Sequence, residues 1–217
     1  MRETANTVMH LTCGEGTGTT TQDASGNGRT GTFEGAAGWA TTGRLRQTLN
    51  FPGASGDRVR VTHAASLSPA NITVAAWVKV TANPSYPMIL SKYNGTTAEY
   101  ELRLNATTLR LDFLCMDGTN FVQAIDPDAL SQNVWYFLVG TYDGANVRCY
   151  RDGVLKATTA MPLAMAHQTG DVTIGDRPGG GQPLTGIIDD ILVENVAWSA
   201  AKVTEEFELL PSVTAYA

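Results

Sequence analysis

Charge and cysteine are both scarce in this sequence. Only 17% of its 217 residues are charged, whereas an average soluble protein has about 25%. The 15 basic residues are outnumbered by 21 acidic ones, which gives a net charge of −6. Because an acidic chain offers no broad basic surface, we expect neither nucleic acid nor an anionic membrane surface as its partner.

Three cysteines, Cys13, Cys115 and Cys149, are too few for a disulfide framework. We expect buried thiols, with a single bridge between Cys115 and Cys149 left open. The three histidines lack the spacing of a zinc site. No apolar run approaches the roughly 18 residues that span a bilayer, so membrane insertion is not expected. The first residues lack the basic-then-apolar pattern of a signal peptide.

Short strand-like runs separated by turn residues fill most of the chain. Residues 71–80 (NITVAAWVKV) are rich in β-branched side chains, and residues 133–142 (NVWYFLVGTY) are nearly all apolar or aromatic. Residues 99–104 alternate polar and apolar side chains, so we expect Glu99 and Glu101 to face solvent. Asp-Gly pairs at 117–118, 143–144 and 152–153 favour tight hairpins. These features predict an all-β sandwich or jelly roll that forms one domain over residues 1–217.

One short helix is expected near the C-terminus. Ser199 is a good N-cap, and Trp198 and Val203 occupy the two positions of a hydrophobic staple. Apolar residues then recur at helical spacing until Pro211 ends the run. These residues are Val203, Phe207 and Leu210.

Two segments carry oxygen donors that suit a hard cation. Residues 23–32 (DASGNGRTGT) combine small residues with Asp and Asn oxygens, which are ligands that Ca²⁺ prefers. An ordinary Asx turn without metal explains the same residues. Residues 186–193 (GIIDDILV) read as a strand in which Asp189 shares a face with Ile187, Ile191 and Val193, and Asp190 lies on the other. A carboxylate among aliphatic side chains needs either hydrogen bonds or a cation.

Several segments, taken in order, resemble one family of domains. Residues 23–32 and 49–61 (LNFPGASGDRVRV) resemble the opening of concanavalin A-like lectin/glucanase domains of the laminin-G-like type. The likeness runs over roughly residues 8–210, and its later segments continue the same order. These are Ser66-Leu67, 73–79 (TVAAWVK), 135–153 (WYFLVGTYDGANVRCYRDG), 172–175, 186–193 and 197–199. The resemblance implies a two-sheet antiparallel jelly-roll sandwich.

The resemblance also implies a structural Ca²⁺ at the edge of the sandwich. Its ligands would come from the early loop and the late strand, namely Asp23, Asn27, Thr30, Asp189 and Asp190. The chain departs from the family pattern at residues 13–16 (CGEG), where an acidic residue is usual near Cys13, and at Trp198, where leucine is usual. Both departures lie outside the implied calcium ligands.

Loop aromatics are the candidates for stacking on a ligand. We expect Trp77 and Trp135, in the most apolar strands, to be core residues. The candidate ligand-binding residues, each of which also fits an ordinary surface position, are Tyr86, Tyr93, Asn94 and Arg177. Arg177 could bind hydroxyls or a carboxylate.

A non-catalytic binding module is the leading functional hypothesis, and the resemblance makes a glycan or polysaccharide its expected ligand. No carboxylate-pair strand of the Glu-x-Asp-x-x-Glu type is present, so we do not expect a glycosidase. The alternative is a virion decoration, attachment or other assembly protein that docks on capsid or other structural subunits. A third possibility is a module of a larger secreted polysaccharide-degrading enzyme. The expected location is accordingly a virion surface or the extracellular space.

Overall fold

The computed structural model describes residues 1–41, 43–44, 47–82 and 86–209. Within these residues the chain forms sixteen β-strands, one 3-10 turn (Ala65–Leu67) and one α-helix, α1 (Ala200–Leu209). No helix in this part of the chain is long and apolar enough to cross a membrane. The strands are β1 (Thr7–Leu11), β2 (Thr20–Thr21), β3 (Gly31–Glu34), β4 (Gly38–Ala40), β5 (Thr48–Phe51), β6 (Arg58–Val61), β7 (Ile72–Val80), β8 (Met88–Tyr93), β9 (Ala98–Leu104), β10 (Arg110–Met116), β11 (Phe121–Ala129), β12 (Trp135–Tyr142), β13 (Asn146–Arg151), β14 (Val154–Ala160), β15 (Val172–Ile174) and β16 (Gly186–Glu194).

The strands form two antiparallel sheets of eight strands each. The first sheet has the order β14-β13-β12-β7-β16-β5-β4, and β1 pairs with the part of β16 that β5 leaves free. The second sheet has the order β11-β10-β9-β8-β15-β6-β3-β2. This arrangement, with one short C-terminal helix, confirms the predicted all-β concanavalin A-like sandwich.

The Asp-Gly pairs join antiparallel neighbours, as predicted. They link β10 to β11, β12 to β13 and β13 to β14. Gly118, Gly144 and Gly153 have φ of 97°, 88° and 81°, a conformation that glycine adopts without steric cost. These turns therefore join consecutive strands into hairpins, two of them in the first sheet and one in the second.

The main core lies between the two sheets. Alternate residues of β7 and β9 point into it, among them Val74, Val78, Tyr100 and Leu102. All three cysteines are buried free thiols, so Cys115 and Cys149 are not bridged. The burial of Cys149 raises the pKa of its thiol to about 12, which makes it unreactive at neutral pH.

A second, smaller apolar cluster covers the outer face of the first sheet. Helix α1 packs there, with Val203 fully buried and Phe207 stacked on Trp77 at 5.9 Å between ring centroids. The Ser199 Oγ accepts the Lys202 backbone N–H at 3.2 Å, which confirms the predicted N-cap. Trp77 is buried as predicted, but in this outer cluster, and Trp135 is only partly buried. Leu210 and Pro211 lie outside the described residues.

The predicted alternation along β16 fails at its two aspartates. Asp190 has a φ of 53°, and the pairing with β7 shifts between Asp189 and Leu192. Ile191 and Val193 therefore face the main core, whereas Asp189 lies opposite Trp77 on the outer face. The prediction that Asp189 shares a face with Ile191 is wrong, because a bulge inserts one residue and reverses the faces beyond it.

Candidate ligand-binding face

The outer face of the second sheet carries charged and polar side chains instead of an apolar cluster. Because Tyr100 and Leu102 face the core, their neighbours in β9 point outward. On the adjoining strands β10 and β15, alternate residues such as Phe113 and Ile174 also face the core, so the residues between them point outward. We call this surface the polar face, and its central residues are Ser91, Glu101, Arg103, Asp112, Leu114 and Thr173.

Arg103 organises the centre of the polar face. Its Nε donates to Asp112 Oδ2 at 2.9 Å and its Nη1 donates to Glu101 Oε2 at 3.0 Å. Ser91 Oγ donates to the other oxygen, Glu101 Oε1, at 2.9 Å. The guanidinium also lies 5.4 Å from the ring centre of Tyr86. One arginine thus fixes two carboxylates and one aromatic ring.

Burial sets the electrostatics of this centre. It raises the pKa of Glu101 and of Asp112, and the charge of Arg103 opposes the rise in both. Glu101 is 1% exposed, so the prediction that Glu99 and Glu101 face solvent is wrong. Asp112 Oδ1 is buried and has no hydrogen-bond partner among the described residues. These carboxylates therefore fix the position of Arg103, and burying them costs the folded protein some stability.

A first cleft of about 250 Å³ opens beside Arg103. Tyr93 and Arg177 line one part of it, and Phe121, which is 57% exposed, lines another. The Arg177 guanidinium carbon lies 5.0 Å from the ring centre of Tyr93. The cleft therefore offers aromatic surface next to a cationic donor.

A second cleft of about 300 Å³ adjoins the first, because Tyr93 lines both. Arg58, Arg60 and Asn94 contribute to its walls. The two arginines share Glu34, whose oxygens accept Arg58 Nε at 2.6 Å and Arg60 Nε at 2.5 Å. Their positions are therefore fixed before any ligand arrives.

A buried network holds the loop at residues 167–171, which forms a wall of the second cleft. Lys92 Nζ, fully buried, donates to Gly170 O at 2.7 Å and contacts His63 Nδ1 at 2.9 Å. Glu99 accepts the Gln168 backbone N–H at 2.8 Å and contacts Lys92 at 3.9 Å. The loop is therefore held by ionisable groups. The sequence pattern drew attention only to Glu99 among them, and as a solvent-facing residue.

The structure brings the four predicted ligand residues together. Tyr93, Asn94 and Arg177 line the clefts, and Tyr86 packs on Arg103 beside them. Asn94 also has a structural role, since its Oδ1 accepts the Thr96 and Thr97 backbone N–H groups. Sequence reasoning did not identify Glu101, Arg103 and Asp112 as site residues. The alternation of residues 99–104 was a signal for Glu101 and Arg103, whereas Asp112 lies on the next strand, outside that segment.

The implied calcium ligands do not form one set of oxygen donors. Asp23 accepts N–H groups from His10 and Arg29 at 2.9 and 2.8 Å, and the Ser25 hydroxyl at 2.8 Å. Asn27 points its amide nitrogen at Thr7 O, 3.0 Å away. These contacts are those of an Asx-type turn. Thr30 is half-buried just before β3, and within the described residues no hydrogen bond joins it to the other four.

The two aspartates of β16 have separate environments. Asp190 Oδ1 lies 2.6 Å from His10 Nε2, and its Oδ2 accepts the Met1 amino group. Asp189 lies under Arg44, whose guanidinium is stacked 3.8 Å from the ring centre of Trp77. Over the described ranges, no three His, Cys, Asp or Glu side chains are placed to hold a metal ion. These donors as placed do not fit Ca²⁺, and the calcium site stays a prediction.

The sequence carries the signature of a known family. A family model for the concanavalin A-like lectin/glucanases superfamily matches residues 52–204, more than two thirds of the chain. The chain belongs to this superfamily. This match confirms the resemblance seen in the sequence, while no curated protein sequence matches the chain significantly.

Solved structures with the same fold are distant in sequence. The binding domain of Paraclostridial Mosquitocidal Protein 1 has a TM-score of 0.76 at 14% identity, covering 93% of this chain and 52% of that one. The botulinum neurotoxin serotype G binding domain has a TM-score of 0.76 at 15% identity, and the match covers 94% of this chain and 51% of that one. A third similar structure is Domain 4 of AbnA, a GH43 extracellular arabinanase from Geobacillus stearothermophilus, solved in complex with arabinotriose. Its TM-score is 0.76 at 17% identity, and the match covers 94% of this chain and 98% of that one. The chain thus spans about half of each toxin domain and nearly all of the arabinanase domain.

Proposed function

We propose that this protein is a non-catalytic carbohydrate-binding module whose ligand lies on the polar face, across both clefts. The observation that carries this proposal is the pair of adjoining clefts, which share Tyr93 as a common wall. Two joined clefts of about 250 and 300 Å³ suit a chain of at least two sugar units better than one compact small molecule.

The contrast between the two outer faces favours this location. On the first sheet, α1 and the N-terminal residue cover an apolar surface that includes Trp77 and Phe137. On the second sheet, the corresponding surface carries Glu101, Arg103 and Asp112 and opens into clefts. A surface that keeps fixed polar groups next to accessible space is the usual arrangement of a ligand site.

The chemistry of the clefts suits a sugar. A sugar ring presents apolar C–H faces and hydroxyl groups that both donate and accept hydrogen bonds. Phe121 and Tyr93 offer aromatic surface for the former. Arg177 offers N–H groups for the latter. Because Arg103 and Glu34 fix the surrounding side chains, little conformational freedom would be lost on binding.

The comparisons support a binding role. Two of the similar structures are named as binding domains of toxins, and the third is an arabinanase domain solved with arabinotriose. We propose binding without catalysis because Glu101 and Asp112 both accept bonds from Arg103 and are almost completely buried. A glycosidase needs two carboxylates that can reach opposite sides of the scissile bond. An extracellular location accords with this role.

A broad glycan array tests the proposal, followed by titration calorimetry on the strongest hits. We expect Tyr93→Ala to weaken binding at least about tenfold, with the melting temperature nearly unchanged. Val154→Ala is the matched control, since Val154 is an exposed edge-strand residue of the first sheet. A blank array on folded protein, or a hit that Tyr93→Ala leaves intact, would refute this site.

The virion decoration or capsid-docking alternative stays a prediction with its own measurement. If the array is blank, co-purification with capsid or other structural subunits becomes the informative experiment. A structural Ca²⁺ likewise stays a prediction, and glycan binding in the presence and absence of a chelator tests it. The carbohydrate proposal depends on neither of them.

A further inference from the structure

We propose that the anchoring group of the ligand is a carboxylate and that Arg177 binds it, so that the module prefers acidic glycans. This inference rests on the proposed function and specifies the class of sugar. It starts from the four arginines that line the clefts, because they differ in whether a carboxylate of the protein already pairs with them.

Three of the four arginines that line the clefts already have carboxylate partners. Arg58 and Arg60 both donate to Glu34, and Arg60 also contacts Asp171 at 3.3 Å. Arg103 donates to Glu101 and Asp112. These three side chains are positioned by their partners, and a ligand would have to compete with existing ion pairs to reach them.

Arg177 differs from the other three. In the described part of the chain, its guanidinium has no hydrogen bond and no ion pair, and its central carbon lies 5.0 Å from the ring centre of Tyr93. The neighbouring carboxylate, Glu101, uses its two oxygens for Ser91 and Arg103. Arg177 therefore keeps free N–H groups at the wall of the first cleft.

The contact with Tyr93 makes Arg177 suitable for a carboxylate. The ring holds the guanidinium at the wall of the cleft, and the edge of a guanidinium can bind both oxygens of a carboxylate at once. Leu114 and Phe121 form apolar parts of the same cleft, and a sugar lying on them would shield such a pair from water and so strengthen it. A sugar ring lying on Phe121 with its carboxylate toward Arg177 uses both features.

The test compares acidic sugars with neutral analogues of the same shape. Suitable pairs are 3′-sialyllactose with lactose, and trigalacturonate with its methyl ester, titrated by calorimetry at low and high salt. We expect the wild type to bind at least one acidic member about tenfold or more tightly than its neutral analogue. Arg177→Gln should bring the two affinities to within about twofold, and Arg177→Lys should keep an intermediate preference.

Arg148→Gln is the matched control, because it removes the same charge from an arginine of the first sheet that pairs with Asp143. It should retain the wild-type preference. Equal binding of acidic and neutral analogues, still lost in Tyr93→Ala, would overturn the acidic preference and leave the carbohydrate module standing. A preference that persists in Arg177→Gln would overturn the role of Arg177. Absence of binding to any glycan would overturn both proposals.

Discussion

Replacing Asp189 with asparagine should stabilise the protein at alkaline pH and have little effect at acid pH. Asp189 lies on the outer face of β16, 8% exposed, opposite Trp77. Its carboxylate has lost most of its water, and Asp190 is the next residue. The opposing charge comes from Arg44, which is stacked on Trp77.

The magnitude follows from the pKa of this carboxyl group. Burial raises the pKa of Asp189 from 3.8 to about 7, the charge of Asp190 adds to the rise, and Arg44 opposes it. Since one pKa unit corresponds to about 1.4 kcal/mol, ionising Asp189 costs the folded state about 4 kcal/mol. We expect Asp189→Asn to recover about 2 to 4 kcal/mol above pH 7, because the new amide still needs hydrogen-bond partners.

The sign of the pH dependence is definite. Between pH 3.8 and about 7 the folded protein holds a proton that the unfolded chain has released. The contribution of Asp189 to stability is therefore fully present below pH 3.8 and lost as the pH rises through about 7. Urea unfolding followed by tryptophan fluorescence at a series of pH values should show wild type and variant diverging over this window.

Asp190→Asn is the internal control and should behave in the opposite way. Burial alone would raise the pKa of Asp190, but its contacts with His10 and the Met1 amino group lower it. Its contribution is lost as the pH falls, so its removal should destabilise the protein at neutral pH. The reasoning on Asp189 is refuted if Asp189→Asn lowers stability at alkaline pH. It is also refuted if calcium stabilises the wild type and the variant loses that response, since Asp189 would then be a metal ligand.

Two further predictions concern packing and the helix. Gly140→Ala should destabilise the fold by about 1 to 3 kcal/mol, because a Cβ there would lie 2.1 Å from the ring of Phe113; an unchanged urea midpoint would contradict this packing. Ser199→Ala should cost about 1 kcal/mol, because it removes the N-cap of α1, while Ser199→Thr should retain most of that stability in the same assay.

The strands and hairpins could be predicted because their signals are local. The apolar run at residues 133–142 and the Asp-Gly pairs depend on neighbours within a few residues, and the structure places β12 and its hairpin there. The early strands β1 to β5 were not predicted, because most of them are four residues or shorter and carry little periodicity. The strands that could be recognised had a distinctive run of side chains, an adjacent turn signal, or both.

The polar face could be predicted only in part, because its burial depends on residues distant in sequence. Alternation in residues 99–104 separates Glu101 from Leu102, but it does not tell whether the polar side faces water. In the structure, Ser91 and Arg103 satisfy Glu101, and Asp112 on the next strand shares Arg103. Similarly, the bulge at Asp190 depends on how β16 pairs with β7, which a strand pattern alone does not contain.

The energetics of the polar face argue that it is kept for binding more than for folding. The outer face of the first sheet shows that this sandwich can cover a sheet with apolar residues, such as Ala75 and Leu192. The second sheet instead buries Glu101 and Asp112, whose raised pKa values mean that their ionised forms oppose folding. Apolar residues of similar volume would serve stability as well or better. What these carboxylates do provide is a fixed Arg103, and with it a fixed Tyr86, beside the cleft that Arg177 lines. A stability cost placed next to accessible clefts is the pattern expected where preorganisation for a ligand outweighs stability.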